Sequence, residues 1–224
     1  MTGSSCAQCA QREARLRAAL PVRHYYHCYA AGAWAVPVRD HFTAMGRSGL
    51  DGVVTTVGLV GPPRDRDAAR QRIGLLCRNW DLPEPAAWRE ADEGWEQLTL
   101  QAIHDDVQKS QDEYAVVYAH TKGAADGSDT NMAWRRSMTR KVIYEWEECL
   151  ALLARHDAVG CHWVDNQHYP SDPPFFGGNF WWATSSYLRR LPAPASEDRW
   201  QAETWMSQAN PAVYDLKPGW PEYP

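Results

Sequence analysis

Hydrophobic and polar positions alternate along the chain with two periods. Short runs dense in apolar and β-branched residues predict strands at His24–Ala30, Val53–Val60, Tyr114–Ala119 and Asp157–Trp163. Apolar residues spaced three or four apart predict helices over residues 34–47, 65–78, 95–110 and 132–155. The last of these carries Trp134, Met138, Val142, Trp146, Leu150 and Leu153 on one face. Pro37 suits a first helical turn, and Gly61-Pro62-Pro63 stops the second strand. Residues 80–94 read as irregular, with one short strand near Ala86–Trp88. Shorter helices are expected at 184–191 and 199–208. An amphipathic helix is expected over residues 4–19, within an N-terminal segment 1–20 that Pro21 closes. An extended, proline-rich tail is expected over 210–224. The order β-α-β-α predicts an α/β fold: a mostly parallel central sheet flanked by crossover helices.

Composition narrows the class. At 224 residues the chain is long enough for a full core, and a single domain over 1–224 is expected. Its 44% hydrophobic and 23% charged residues are those of a soluble globular protein. No run approaches the ~20 apolar residues of a membrane span. The first residues lack the pattern of a secretory signal, so a cytoplasmic location is expected, bacterial, or in the host cytoplasm if the source is viral. A net charge of −5 with no long basic block argues against tight, sequence-independent binding to duplex DNA. Arg135, Arg136, Arg140 and Lys141 form one basic cluster, read as a solvated helix face or, failing that, a local groove for nucleic acid. Cys6 and Cys9 have metal-like spacing, but no second close pair exists, and they read as small thiols.

Three segments could carry chemistry. Gly177-Gly178-Asn179-Phe180-Trp181-Trp182-Ala183 follows a polar, proline-containing loop. It reads either as the floor of a site for a polar ligand with flat apolar faces or as a fully buried strand. The 12 tryptophans of the chain lend weak support to carbohydrate, because indole faces pack on sugar rings. His120-Thr121-Lys122-Gly123 ends the clearest predicted strand, where open α/β sheets place ligands. Lys122 is a cation suited to phosphate, with Thr121 and the backbone around Gly123 as further donors. The alternative is a polar turn. In Arg199-Trp200-Gln201-Ala202-Glu203-Thr204-Trp205, burial between tryptophans would raise the pKa of Glu203 toward that of a general base. The alternative is a surface carboxylate paired with Arg199. Asp157, Asp165 and Asp172 are further carboxylates, and Asp165, just past a strand, is the first candidate for a metal or a sugar hydroxyl. Phosphate-loop, dinucleotide, nucleophile-elbow and zinc-protease motifs are all absent from the sequence.

These segments together resemble small bacterial and viral glycosyltransferase-like proteins of the nucleotide-sugar, GT-A type. The matching pieces are Tyr26-His27-Cys28-Tyr29, Ser48-Gly49-Leu50, Val117 to Gly123, Trp134-Arg135, Asp157 to Gly160, Gly178 to Ala183 with Tyr187-Leu188, and Ala202 to Trp205. The resemblance implies a Rossmann-like fold. It also implies transfer of a sugar from a nucleoside diphosphate to an acceptor hydroxyl. That acceptor would be a glycan, or a protein or modified nucleobase, so nucleic acid enters only as an acceptor. On this reading His27, Val57 and Gly58 hold the nucleotide, and His120, Thr121, Lys122 and Gly123 meet the diphosphate. Gly177, Gly178, Asn179, Trp181 and Trp182 shape the sugar site, and Glu203 activates the acceptor. The chain departs from the pattern in lacking Asp-x-Asp, which leaves a divalent metal (Mn or Mg) open and suggests Lys122 as a fixed substitute. The competing expectation is a carbohydrate-binding protein without catalysis, built on the tryptophan-rich cluster.

Overall fold

A computed structural model describes residues 20–125, 127–165, 173–195 and 199–218. The expected helix at 4–19, Cys6, Cys9, Asp172 and the end of the tail lie outside the described residues. One sheet of seven strands organises the rest, in the order β3-β2-β1-β4-β8-β5-β9. β1 (Val22–Tyr29), β2 (Val54–Val60), β3 (Ala87–Ala91) and β4 (Ala115–His120) run parallel to one another. Helices α1 (Ala35–Ser48), α2 (Pro63–Asn79) and α3 (Gln97–Lys109) connect them. This half is the expected α/β arrangement with a mostly parallel sheet.

The second half departs in ways with physical causes. The long helix begins at α4 (Asp129–Thr139), where Ser128 accepts the Asn131 N–H as a cap. It then opens into a π turn at Arg140–Tyr144 and resumes as α5 (Trp146–Leu152). Within that turn the Val142 carbonyl accepts the Trp182 indole N–H at 2.7 Å. The expected strand 157–163 splits into β5 (Ala158–Gly160) and β6 (Trp163–Val164), because His162 takes a positive φ of 59°. The Asp215 carboxylate accepts the backbone N–H of both His162 and Trp163 there. β6 pairs with β7 (Phe175–Phe176) in a small second sheet. β8 (Trp181–Thr184) inserts antiparallel between β4 and β5. After α6 (Ser185–Leu188) and α7 (Arg199–Thr204), the tail adds β9 (Val213–Asp215), parallel to β5, so part of it is sheet rather than loose chain.

Side-chain alternation on the strands divides the core. Tyr26, Cys28, Val57, Leu59, Val117 and Trp182 pack under α1 and α2. Tyr25, Val116, Tyr118 and Trp181 pack on the opposite face with α3, α6 and Trp205. No described helix is long and apolar enough to cross a membrane.

Candidate functional site

The sheet is built outward from β1 in two directions: β2 and β3 lie on one side, β4 on the other. A crevice opens where strand order reverses, beyond the carboxyl ends of β1 and β4. A cleft of about 230 Å³ lies there, and His27, Tyr29, His120 and Lys122 from these two strand ends line it. His27 and His120 are partners across β1 and β4, so both rings stand on the α3 face. Trp95 and Glu96, just before α3, and Arg199 on α7 complete the walls.

Glu96 is the carboxylate at the centre of the cleft. Its side chain is 13% exposed. Its Oε2 accepts the Tyr118 hydroxyl and the Asn179 amide N–H, each at 2.7 Å. Its Oε1 lies 3.4 Å from His120 Nδ1. Burial pushes the Glu96 pKa up, but His120, His27 and the two hydrogen bonds outweigh it and hold the group below its ordinary value. Burial lowers His27 to about 4, against the pull of Glu96, and its Nδ1 sits 2.9 Å from Thr99 Oγ1. Burial also lowers His120. The His120 Nε2 lies 2.8 Å from the Gly178 carbonyl, which only accepts, so Nε2 carries the hydrogen.

Glu203 is half-buried on α7, and burial followed by the charge of Glu96 raises its pKa, while Lys122 and Arg199 pull it down. Among the described residues no hydrogen bond to its carboxylate forms. The cations stand on aromatic faces: Lys122 Nζ is 4.1 Å from the Trp134 ring centroid, and the Arg199 guanidinium is 5.4 Å from that of Trp95. Trp95 is 47% exposed and stacks toward Tyr29, with ring centroids 6.4 Å apart. The cleft therefore offers two cations, an aromatic wall and one carboxylate held charged, and Glu203, coupled to them from α7, is held toward its protonated form.

The loop after β4 is braced from behind. Thr121 Oγ1 accepts the Tyr29 N–H at 2.8 Å, and Gly123 turns the chain with φ of 79°. Arg135, 2% exposed, donates to the Lys122 carbonyl at 3.0 Å and to Asp40 at 3.1 Å. This corrects the reading of the basic cluster for Arg135, while Arg136 and Arg140 stay on a solvated face as expected. Arg135 is an interior brace, Arg136 lies 3.6 Å from Asp40, and Arg140 and Lys141 both pair with Glu145.

The sequence-predicted residues divide accordingly. His27, His120, Thr121, Lys122 and Gly123 line the cleft, and Glu203 couples to it. Trp181 and Trp182 do not line it: both are fully buried, on opposite faces of a central strand, and offer no platform for a sugar. Asn179 and Gly178 act one layer behind, through Glu96 and His120. Gly177 receives the His162 carbonyl at its N–H, away from the cleft walls. Asp165 is not among the residues that line the cleft. Among the described residues no group of three His, Cys, Asp or Glu side chains is placed to hold a metal ion.

Val57 and Gly58 also leave the nucleotide-binding set. Val57 is core, and Gly58 sits mid-strand beneath α3, where a Cβ would stand 2.0 Å from Thr99 Oγ1. The glycine lets Thr99 reach His27. Gly58→Ala is expected to cost about 1–3 kcal/mol of stability by overpacking, with part recovered in Gly58→Ala/Thr99→Ala. Urea unfolding of the three variants measures this. Wild-type stability in the single variant would mean that α3 does not pack this closely.

Glu96, Tyr29, Trp95 and Arg199 are the cleft residues that sequence reasoning passed over as functional. The available signal was an acidic residue next to a tryptophan, opening a helix just after Gly94. The sequence model of a domain family of unknown function, DUF8361, matches residues 40–219. That span holds Glu96, His120, Lys122, Asn179, Arg199 and Glu203, with β1 and His27 lying before it. No curated protein sequence matches the chain. With most of its length inside this match, the chain belongs to the DUF8361 family.

Proposed function

We propose that the protein is a glycosyltransferase, moving a sugar from a nucleoside-diphosphate sugar to an acceptor hydroxyl on a GT-A-type, Rossmann-like fold. The observation that carries this reading is the pair of cations, Lys122 and Arg199, that line the cleft at the reversal point of the sheet and are electrostatically coupled to Glu203 on α7. Two cations suit a diphosphate. The exposed Trp95 beside Tyr29 suits a flat base or a sugar face. Glu203, its pKa raised above the ordinary carboxylate value by burial, suits a group that takes a proton.

In the proposed reaction Glu203 removes the acceptor hydroxyl proton as that oxygen bonds to the anomeric carbon. The bond from that carbon to the diphosphate oxygen breaks, and its electron pair leaves on the diphosphate. Lys122 and Arg199 offset the new negative charge, a fixed arrangement that needs no reorganisation during the reaction. Among the described residues no three His, Cys, Asp or Glu side chains are placed together as metal ligands, so the proposal gives the diphosphate charge to Lys122 and Arg199.

A thermal-shift screen against UDP, GDP, CDP and TDP and their sugar conjugates, with and without Mn²⁺, tests the reading. One nucleotide series is expected to raise the melting temperature by mass action, independently of Mn²⁺. No shift with any nucleotide or conjugate would remove the nucleotide-sugar reading.

A further inference from the structure

The floor of the cleft places two hydrogen-bond acceptors side by side. The His120 hydrogen on Nε2 is committed to the Gly178 carbonyl at 2.8 Å, and burial favours the neutral ring, in which Nδ1 is a bare lone pair. Glu96 Oε1 lies 3.4 Å from that nitrogen. Oε2 of the same carboxylate takes both the Tyr118 and the Asn179 donors, and among the described residues no hydrogen bond to Oε1 forms. His27, the other ring near this carboxylate, faces Thr99 through its Nδ1. Lys122 and Arg199 stand on the Trp134 and Trp95 faces.

Two adjacent acceptors repel each other unless a donor bridges them. Both atoms belong to residues that line the cleft. Their second positions are fixed from behind, by Gly178 for the ring and by Tyr118 and Asn179 for the carboxylate. Gly178 and Asn179 both take left-handed backbone angles to do this, with φ of 84° and 54°. A buried carboxylate costs free energy that a neutral side chain would not, and this one belongs to a residue that lines the cleft.

We propose that Glu96 Oε1 and His120 Nδ1 form an acceptor pair that recognises a hydroxyl group of the bound substrate. Resting on the glycosyltransferase reading, that hydroxyl belongs to the transferred sugar. The pair then selects a polyhydroxylated group over an acyl, methyl or phosphoryl group, none of which brings an O–H donor. Lys122 and Arg199 take the diphosphate, and Glu96 with His120 reads the sugar. Glu96 thus acts in binding, and Glu203 in proton transfer.

The first test needs no ligand. Side-chain nitrogen NMR of the wild-type protein at neutral pH reports which His120 nitrogen carries hydrogen. Nε2–H with a bare Nδ1 is expected, and a hydrogen on Nδ1 would overturn the proposal. The second test compares Glu96→Gln with wild type by calorimetry, using UDP against UDP-glucose and GDP against GDP-mannose. The glutamine carbonyl can keep the Tyr118 and Asn179 bonds while its N–H fills the gap to Nδ1, so the variant should melt like the parent. Loss of a hydrogen bond to a charged group should weaken the sugar conjugate by about 10- to 100-fold. The bare nucleotide should bind within about two-fold, since its contacts lie on Lys122 and Arg199. If Glu96→Gln binds nucleotide and conjugate as wild type does, this proposal falls while the transferase reading stands. If no nucleotide binds either protein, the transferase reading falls. Methyl glucoside and methyl mannoside, followed by saturation-transfer NMR, then decide the acceptor pair alone. Binding lost in Glu96→Gln supports it, and no binding to wild type overturns it.

Discussion

Acidification from pH ~7 to pH ~5 is expected to remove about 6 kcal/mol of folding stability, enough to unfold much of the protein. The source is three histidines, His24, His27 and His41, each 2% exposed or less. Burial lowers His24 to about 3 and His27 to about 4, and lowers His41 well below the ordinary value, helped by His24. Each is neutral when folded and takes a proton on unfolding once the pH falls below ~6.5. The unfolded chain therefore binds more protons, and stability falls with pH in the window between ~6.5 and ~4, by about 2 kcal/mol per histidine down to pH ~5. Geometry points the same way. The Nε2 atoms of His24 and His41 lie 2.9 Å apart and can share one hydrogen, so a second proton there would break the bond. Glu203 works in the opposite sense: its raised pKa means that the folded form holds a proton longer, a smaller offset near pH ~5. Thermal melts across this range measure the slope. A melting temperature unchanged down to pH ~4.5 would show that these histidines are solvated or already charged.

If the protein is the proposed glycosyltransferase, replacing Lys122 by alanine is expected to lower sugar transfer by about a hundred- to a thousand-fold while the protein remains folded. Removing one fixed group aimed at developing charge has about that effect in other enzymes. The folded state should lose little. The Lys122 ammonium packs on the face of Trp134, a contact worth about 0.5–2 kcal/mol. The loop itself is held through the backbone, by Arg135 on the Lys122 carbonyl and by Thr121 on Tyr29. Lys122→Arg should retain part of the rate, because a cation remains. Steady-state kinetics with the donor identified by thermal shift, alongside circular dichroism, separates the two effects. Full turnover in Lys122→Ala would place the diphosphate elsewhere.

Much of the frame could be read from local pattern. β1, β2 and β4 are apolar runs bounded by turn residues, and their order already implies parallel pairing and a ligand crevice at the strand ends. Lys122 and His120 were accessible for that reason: their position depends only on where β4 stops. Glu96 was not. Its character comes from Tyr118 and Asn179, 22 and 83 residues away in sequence, and no local period records them. Trp181 and Trp182 misled because an aromatic run after glycines looks the same whether its strand lies at an edge or, as here, between β4 and β5 with both faces covered. The π turn escaped notice because one stretched turn leaves the three-and-four spacing around it intact. Val57 faces the core under α1 and α2, and Gly58, level with His27, is covered by Thr99 of α3, a contact that no local period records.

The antiparallel insertion of β8 also sets a timetable for the chain as it leaves the ribosome. The parallel half, with His27, His120 and Lys122, is complete in sequence by α3 and β4. The neighbour that β4 needs on its open edge arrives only with Trp181–Thr184, and Glu203 later still. The strand side of the cleft, with Lys122, is thus synthesised well before α7, which brings both Arg199 and Glu203. In the interval β4 presents an unpaired apolar edge to its surroundings, the form of exposure that chaperones hold during synthesis.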